Sequence, residues 1–125
     1  MTRPIVFCTD YGLRDEFVGV CHGVMLRIAP DASVIDLTHA VPRQDVQRGA
    51  LVLSRAAPFL PEDAVYCAVV DPGVGSERRA VAVRAGSGAL LVGPDNGLLS
   101  IAWSELGGAE AAYEISSPGI VLQAR

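Results

Sequence analysis

The chain has 125 residues, enough for one domain with its own apolar core and too few for two. Half of the residues are apolar and the mean hydropathy is positive, more core-forming material than one small monomer needs, so part of it is expected to meet a further domain or subunit. A net charge of −4 with scattered basic residues carries no electrostatic footprint for nucleic acid or an anionic membrane, and neither is expected as a partner.

The first apolar run, Ile5 to Cys8, is too short for a signal peptide or a membrane span, and the expected compartment is the cytoplasm. With Pro4 it predicts a buried strand that stops at the polar loop Thr9-Asp10-Tyr11-Gly12. Phe17, Val18, Cys21, Val24, Met25 and Ile28 recur at steps of three and four and predict an amphipathic helix closed by Pro30-Asp31. Ser33 to Leu37 reads as a second strand and Asp45 to Phe59 as a second helix, with Pro58 and Pro61 marking its end. Val65 to Val70 is wholly apolar and reads as a third strand, covered on both faces.

Strands alternating with helices argue for parallel pairing through right-handed crossovers. The rhythm then changes. Ala80 to Arg84 and Ala89 to Gly93 flank Gly86-Ser87-Gly88, which predicts a hairpin. A last helix over Gly97 to Leu106 and a short strand over Tyr113 to Ile115 complete the expected α/β fold: a mostly parallel, doubly wound sheet with flanking helices and a hairpin. Ser116 to Arg125 reads as the start of a connection that is not completed. Cys8, Cys21 and Cys67 are odd in number and far apart, and are expected to be buried, reduced thiols.

In an open parallel sheet, ligands bind at the carboxyl ends of the strands. The loops expected there carry Asp10, Arg14, Asp15 and Glu16 after the first strand, Asp71 to Arg79 after the third, and Pro94-Asp95-Asn96-Gly97 after the fifth. Each acid also has a structural reading: Asp10 and Asp15 as helix caps, Asp71 and Asp95 as turn formers. Gly73-Val74-Gly75 lacks the Lys-Ser or Lys-Thr of a phosphate loop, and the dinucleotide fingerprint is absent after the first strand. His22 and His39, with Asp10, Asp36 and Asp71, leave open a metal-dependent phosphomonoesterase, although no pair has the usual ligand spacing and no metal site is expected.

Four segments, Thr9 to Asp15, Asp36-Leu37-Thr38-His39, Val70 to Arg79 and Gly93 to Leu99, resemble in order and spacing the S-adenosylmethionine hydroxide adenosyltransferases, a family that also contains the fluorinase and chlorinase. The resemblance runs from about Phe7 to Pro118 and implies that residues 1–125 are an N-terminal, S-adenosylmethionine-binding domain of a longer, homotrimeric enzyme. It implies hydrolysis at the ribose C5′ to adenosine and L-methionine, with S-adenosylmethionine as substrate and no cofactor. By motif, Asp10 would hold the ribose hydroxyls, Asp15 would face the methionine ammonium and Asn96 would line the nucleoside pocket. Asp71 and Arg78 match two members of a water-activating Asp-Arg-His set. The halogenating members carry Tyr at the position of Asp71 and a long insertion near Gly86-Ser87-Gly88, which favours water over halide here. Neither His22 nor His39 matches the third member, which belongs to a Phe-His-Gly-Arg-Asp motif that this sequence lacks. A non-catalytic nucleoside-binding or assembly module is the alternative from another class.

Overall fold

The computed structural model describes residues 3–72 and 79–115. Strand β1 (Ile5–Thr9) leads through a loop, half-buried over Asp10 to Gly12 and exposed from Leu13 to Glu16, to helix α1 (Phe17–Ile28), and β2 (Val34–Thr38) leads to α2 (Val46–Ala56). Asp45 starts α2 by accepting the Arg48 N–H at 3.0 Å on its side chain, which satisfies one of the free donors of the first turn. Pro58 then turns the predicted end of this helix into a separate 3-10 turn over Ala57–Phe59. Strands β3 (Val65–Val69), β4 (Ala80–Ala85) and β5 (Leu90–Pro94), helix α3 (Ser100–Glu105) and strand β6 (Ala109–Ile115) follow.

The strands form one sheet in the order β2-β1-β3-β5-β4-β6. β1 pairs parallel with β2 and β3, and β3 pairs parallel with β5. β4 runs antiparallel to both β5 and β6. The α/β class, the parallel half and the hairpin are as expected. The last strand is longer than Tyr113 to Ile115: all seven residues from Ala109 are strand, because β4 offers Ala80 to Ala85 a partner along its free side. The last helix is shorter at its start, where Gly97 takes a φ of 92° in the turn before it.

Alternation along β1 sets the two faces. Val6 and Cys8 join Leu53 of α2, Ala102 of α3, Tyr66, Val83 and Leu91 in one buried core. Phe7 points the other way, and its ring lies 6.1 Å from the His22 ring of α1. Helices thus lie on both faces, but unequally. α2 and α3 pack on each other over the core, whereas α1 has no comparable helix neighbour. Only Val18 of α1 is buried, and Val24 and Ile28 are 46% and 80% exposed, against the expectation of a buried stripe. For the same reason Val65, Cys67 and Val69 of β3, expected to be covered on both faces, are half-buried. Cys8 is buried while Cys21 and Cys67 are half-buried, and all three are free thiols.

β5 also approaches β3 closely. A Cβ on Gly93 would stand 2.5 Å from the Ala68 carbonyl oxygen, so only glycine fits there.

Candidate ligand-binding rim at the carboxyl edge of the sheet

Because β1, β3 and β5 are parallel neighbours, their carboxyl ends share one edge, with Thr9 level with Val69. Asp10, Asp71 and Asn96 come just beyond those three ends, so the topology brings three of the sequence-predicted residues to one rim. Arg78 lies outside the described residues.

Asp10 does not cap the helix after it. Its Oδ2 accepts the backbone N–H of Gln44 at 2.6 Å, across from the loop that follows β2. Asp15 is exposed, and its Oδ1 accepts the Phe17 N–H at 3.0 Å, a local bond at the start of α1 made from the residue before the Glu16 N-cap. Asn96 joins two strand ends: its Nδ2 donates to the Val70 carbonyl at 3.1 Å and its Oδ1 accepts the Leu98 N–H at 3.0 Å. Asp71 is half-buried at the end of β3. Asp95 pairs with Arg79 at 3.1 Å in an exposed ion pair of small energetic value.

An aromatic group underlies the rim on the α1 side. The Tyr11 ring lies 4.9 Å from Phe17 and 6.4 Å from Phe7, both near edge-on. Burial, with smaller contributions from Cys21, Cys67 and Asp10, pushes the Tyr11 hydroxyl up to about 12, so it stays protonated and able to donate. Burial likewise pushes the Cys8 and Cys67 thiols up to about 11, which keeps them unreactive at neutral pH.

A polar chain that the spacing of residues had not disclosed ties the β1 loop to the β2 loop. The hydroxyl of Thr9 lies 2.7 Å from His39 Nδ1, His39 Nε2 lies 2.7 Å from Asp36 Oδ1, and His22 Nε2 reaches the same oxygen at 2.9 Å. Thr9 is fully buried and His39 is 5% exposed. The available signal was Asp36 and His39, one turn-like step apart at the end of a strand, facing a threonine at the end of its neighbour. Burial alone would raise the Asp36 carboxyl, but the hydrogen bonds from His39 and His22, with the charges of both rings, hold it below the ordinary carboxylate range. The two imidazoles thus meet a carboxylate, and among the described residues no group of three or more His, Cys, Asp or Glu side chains is disposed to hold a metal ion. No helix among those residues is long and apolar enough to cross a membrane.

Fold and rim together define an open α/β domain of the kind that takes its ligand at the carboxyl edge of parallel strands. The chain belongs to the family described as the SAM hydroxide adenosyltransferase N-terminal domain, whose model matches residues 5–124. It is 61% identical over 117 residues to the (R)-S-adenosyl-L-methionine hydrolase of Salinispora arenicola, covering 94% of this chain and 44% of that protein. It is 34% identical to the fluorinase of Nocardia brasiliensis, covering 95% of this chain and 47% of that one. That alignment spans 142 positions, more than this chain's 125 residues, so the fluorinase carries inserted residues within the matched region. A crystal structure of a conserved hypothetical protein from Thermus thermophilus superposes with a TM-score of 0.85 at 47% identity, over 98% of this chain and 51% of that one. The chain therefore spans about half the length of the relatives it matches.

Proposed function

We propose that this chain is the S-adenosylmethionine-binding part of an enzyme that hydrolyses S-adenosylmethionine at C5′ to adenosine and L-methionine. What carries the proposal is the meeting of Asp10, Asp71 and Asn96 at the ends of three adjacent parallel strands, in a chain 61% identical to a curated hydrolase of that substrate.

Asp10 accepts the two vicinal ribose hydroxyls in charge-assisted hydrogen bonds, which fixes the sugar and aligns C5′ for in-line attack. The Gln44 N–H on Oδ2 holds the carboxylate in place for this. Asn96, itself held by Val70 and Leu98, lines the nucleoside side. Asp15 lies on the methionine side, its second oxygen toward the ammonium. In the reaction the water oxygen bonds to C5′ as the C5′–S bond breaks. The sulfonium takes that electron pair and leaves as neutral methionine, and the water gives up a proton.

Asp71 does not deprotonate ground-state water, since a carboxylate is a far weaker base than hydroxide. It receives the proton as the C–O bond forms, with the Arg78 guanidinium stabilising the developing hydroxide. The family's active form is a cytoplasmic homotrimer in this proposal, and the apolar residues that α1 leaves exposed give such an assembly material to bury. No nucleic acid, membrane or cofactor takes part.

Two measurements test this. Calorimetric titration with adenosine should show binding that Asp10→Asn weakens tenfold or more; binding undiminished by that change overturns the assignment of Asp10. A chimera in which this chain replaces the matching part of the Salinispora arenicola hydrolase should release adenosine and L-methionine. Asp71→Asn or Arg78→Ala in that chimera should slow it by roughly a hundredfold, and unchanged rates in both would end their catalytic roles. A chimera that binds adenosine without releasing methionine would favour the non-catalytic module instead.

A further inference from the structure

We propose that His39 is the positioning residue of the β1 loop: as the Nε2–H tautomer it clasps the loop through its ring and its main chain at once, and so sets where Asp10 points. The idea rests on the proposed contact of Asp10 with the ribose.

For a neutral His39 ring the hydrogen-bond valences close in only one way. An ionised carboxylate accepts and never donates, so the 2.7 Å contact between His39 Nε2 and Asp36 Oδ1 puts the proton on Nε2. In the neutral ring Nδ1 is then an acceptor, and the Thr9 hydroxyl at 2.7 Å donates to it. That leaves a lone pair of Thr9 Oγ1 to accept the Tyr11 N–H at 3.1 Å, immediately after Asp10. His39 adds a second grip, its carbonyl accepting the Gly12 N–H at 2.8 Å. Gly12 has a φ of 77°, a left-handed conformation that glycine takes without steric cost, so the loop can bend back to reach that carbonyl.

The ring itself has little freedom. Phe7 packs edge-on against it with centroids 4.7 Å apart, and burial leaves His39 no solvent partner to substitute for Thr9. His22 supports the chain from α1 by donating to the same Asp36 oxygen. Asp10 is thereby bracketed: Thr9 before it, Tyr11 and Gly12 after it, and Gln44 on its carboxylate all connect to the segment around His39.

The test is nuclear magnetic resonance on the intact chain. Long-range nitrogen–proton spectra of the wild type should show His39 protonated at Nε2 and bare at Nδ1 at neutral pH; a proton on Nδ1 overturns the proposal without any variant. In His39→Phe and Thr9→Val, exchange of the Gln44 amide should quicken at least tenfold while the Leu53 amide in the core is unchanged, and His39→Gln should restore part of the protection. Unmoved Gln44 exchange in both variants overturns it. Adenosine titrations separate the two ideas. Weakened binding in Asp10→Asn with wild-type binding in His39→Phe sinks the positioning role alone. Wild-type binding in Asp10→Asn sinks the assignment of Asp10 and leaves the tautomer and exchange results to decide whether His39 holds the loop.

Discussion

Gln44 donates its backbone N–H to Asp10 from a left-handed conformation, with a φ of 63°, the one non-glycine residue with positive φ among the described residues. An L-residue held there costs on the order of 1–3 kcal/mol, and the bond to a carboxylate accounts for its persistence. Gln44→Gly relieves that strain while keeping the N–H. Its thermal unfolding should report about 1 kcal/mol of added stability, net of the extra freedom of glycine in the unfolded chain. Gln44→Val, β-branched and worse in this conformation, should lose stability.

Gly93 should tolerate no side chain. In Gly93→Ala the new methyl would meet the Ala68 carbonyl oxygen at 2.5 Å, and both atoms belong to paired strands that cannot separate without breaking the ladder. Urea denaturation should show a loss of roughly 3 kcal/mol or no cooperative transition at all.

Tyr66 is fully buried in the core strand β3, and its hydroxyl has no hydrogen-bond partner among the described residues. A buried hydroxyl left unpaired costs about 1–3 kcal/mol. Tyr66→Phe keeps the ring and removes that cost, so its urea midpoint should move upward; a lower midpoint would reveal a partner for the hydroxyl.

Acid should weaken the fold partly through Asp36. Its carboxyl sits below the ordinary range in the folded chain, so the stability it contributes is fully present above the unfolded value, about 3.9. That contribution is lost as the pH falls through the folded value. The urea midpoint of the wild type should therefore drop more steeply below about pH 4 than that of Asp36→Asn. Parallel acid profiles for the two would contradict the link.

Most of the architecture was legible in the order of apolar runs and turn residues, because strand, helix and hairpin each leave a local signature. Gly86-Ser87-Gly88 announced the β4–β5 turn, and Asp45 announced the start of α2. β6 was only partly legible, since Ala109-Glu110-Ala111-Ala112 has weak strand preference and is held extended by β4. The periodicity of α1 marked a helix correctly but could not say how much of it would be covered.

The rim followed the same division. That Asp10, Asp71 and Asn96 come to one edge was foreseeable, because strand ends in a parallel sheet converge. The fates of Asp15 and Asn96 were not, because a side chain's choice between a ligand and a nearby N–H depends on the loop's path. The Thr9–His39–Asp36–His22 chain lay hidden because it joins residues up to 30 positions apart through atoms that only the β1–β2 register brings level.

The bonds from His39 and Gln44 to the β1 loop make residues 9–12 and 38–44 a single mechanical piece. On the proposed reading, a substitution behind the β2 loop should then be felt as a change in the grip of Asp10 on the sugar before it is felt as a loss of fold. Variation tolerated elsewhere on the surface should be penalised along that hidden seam.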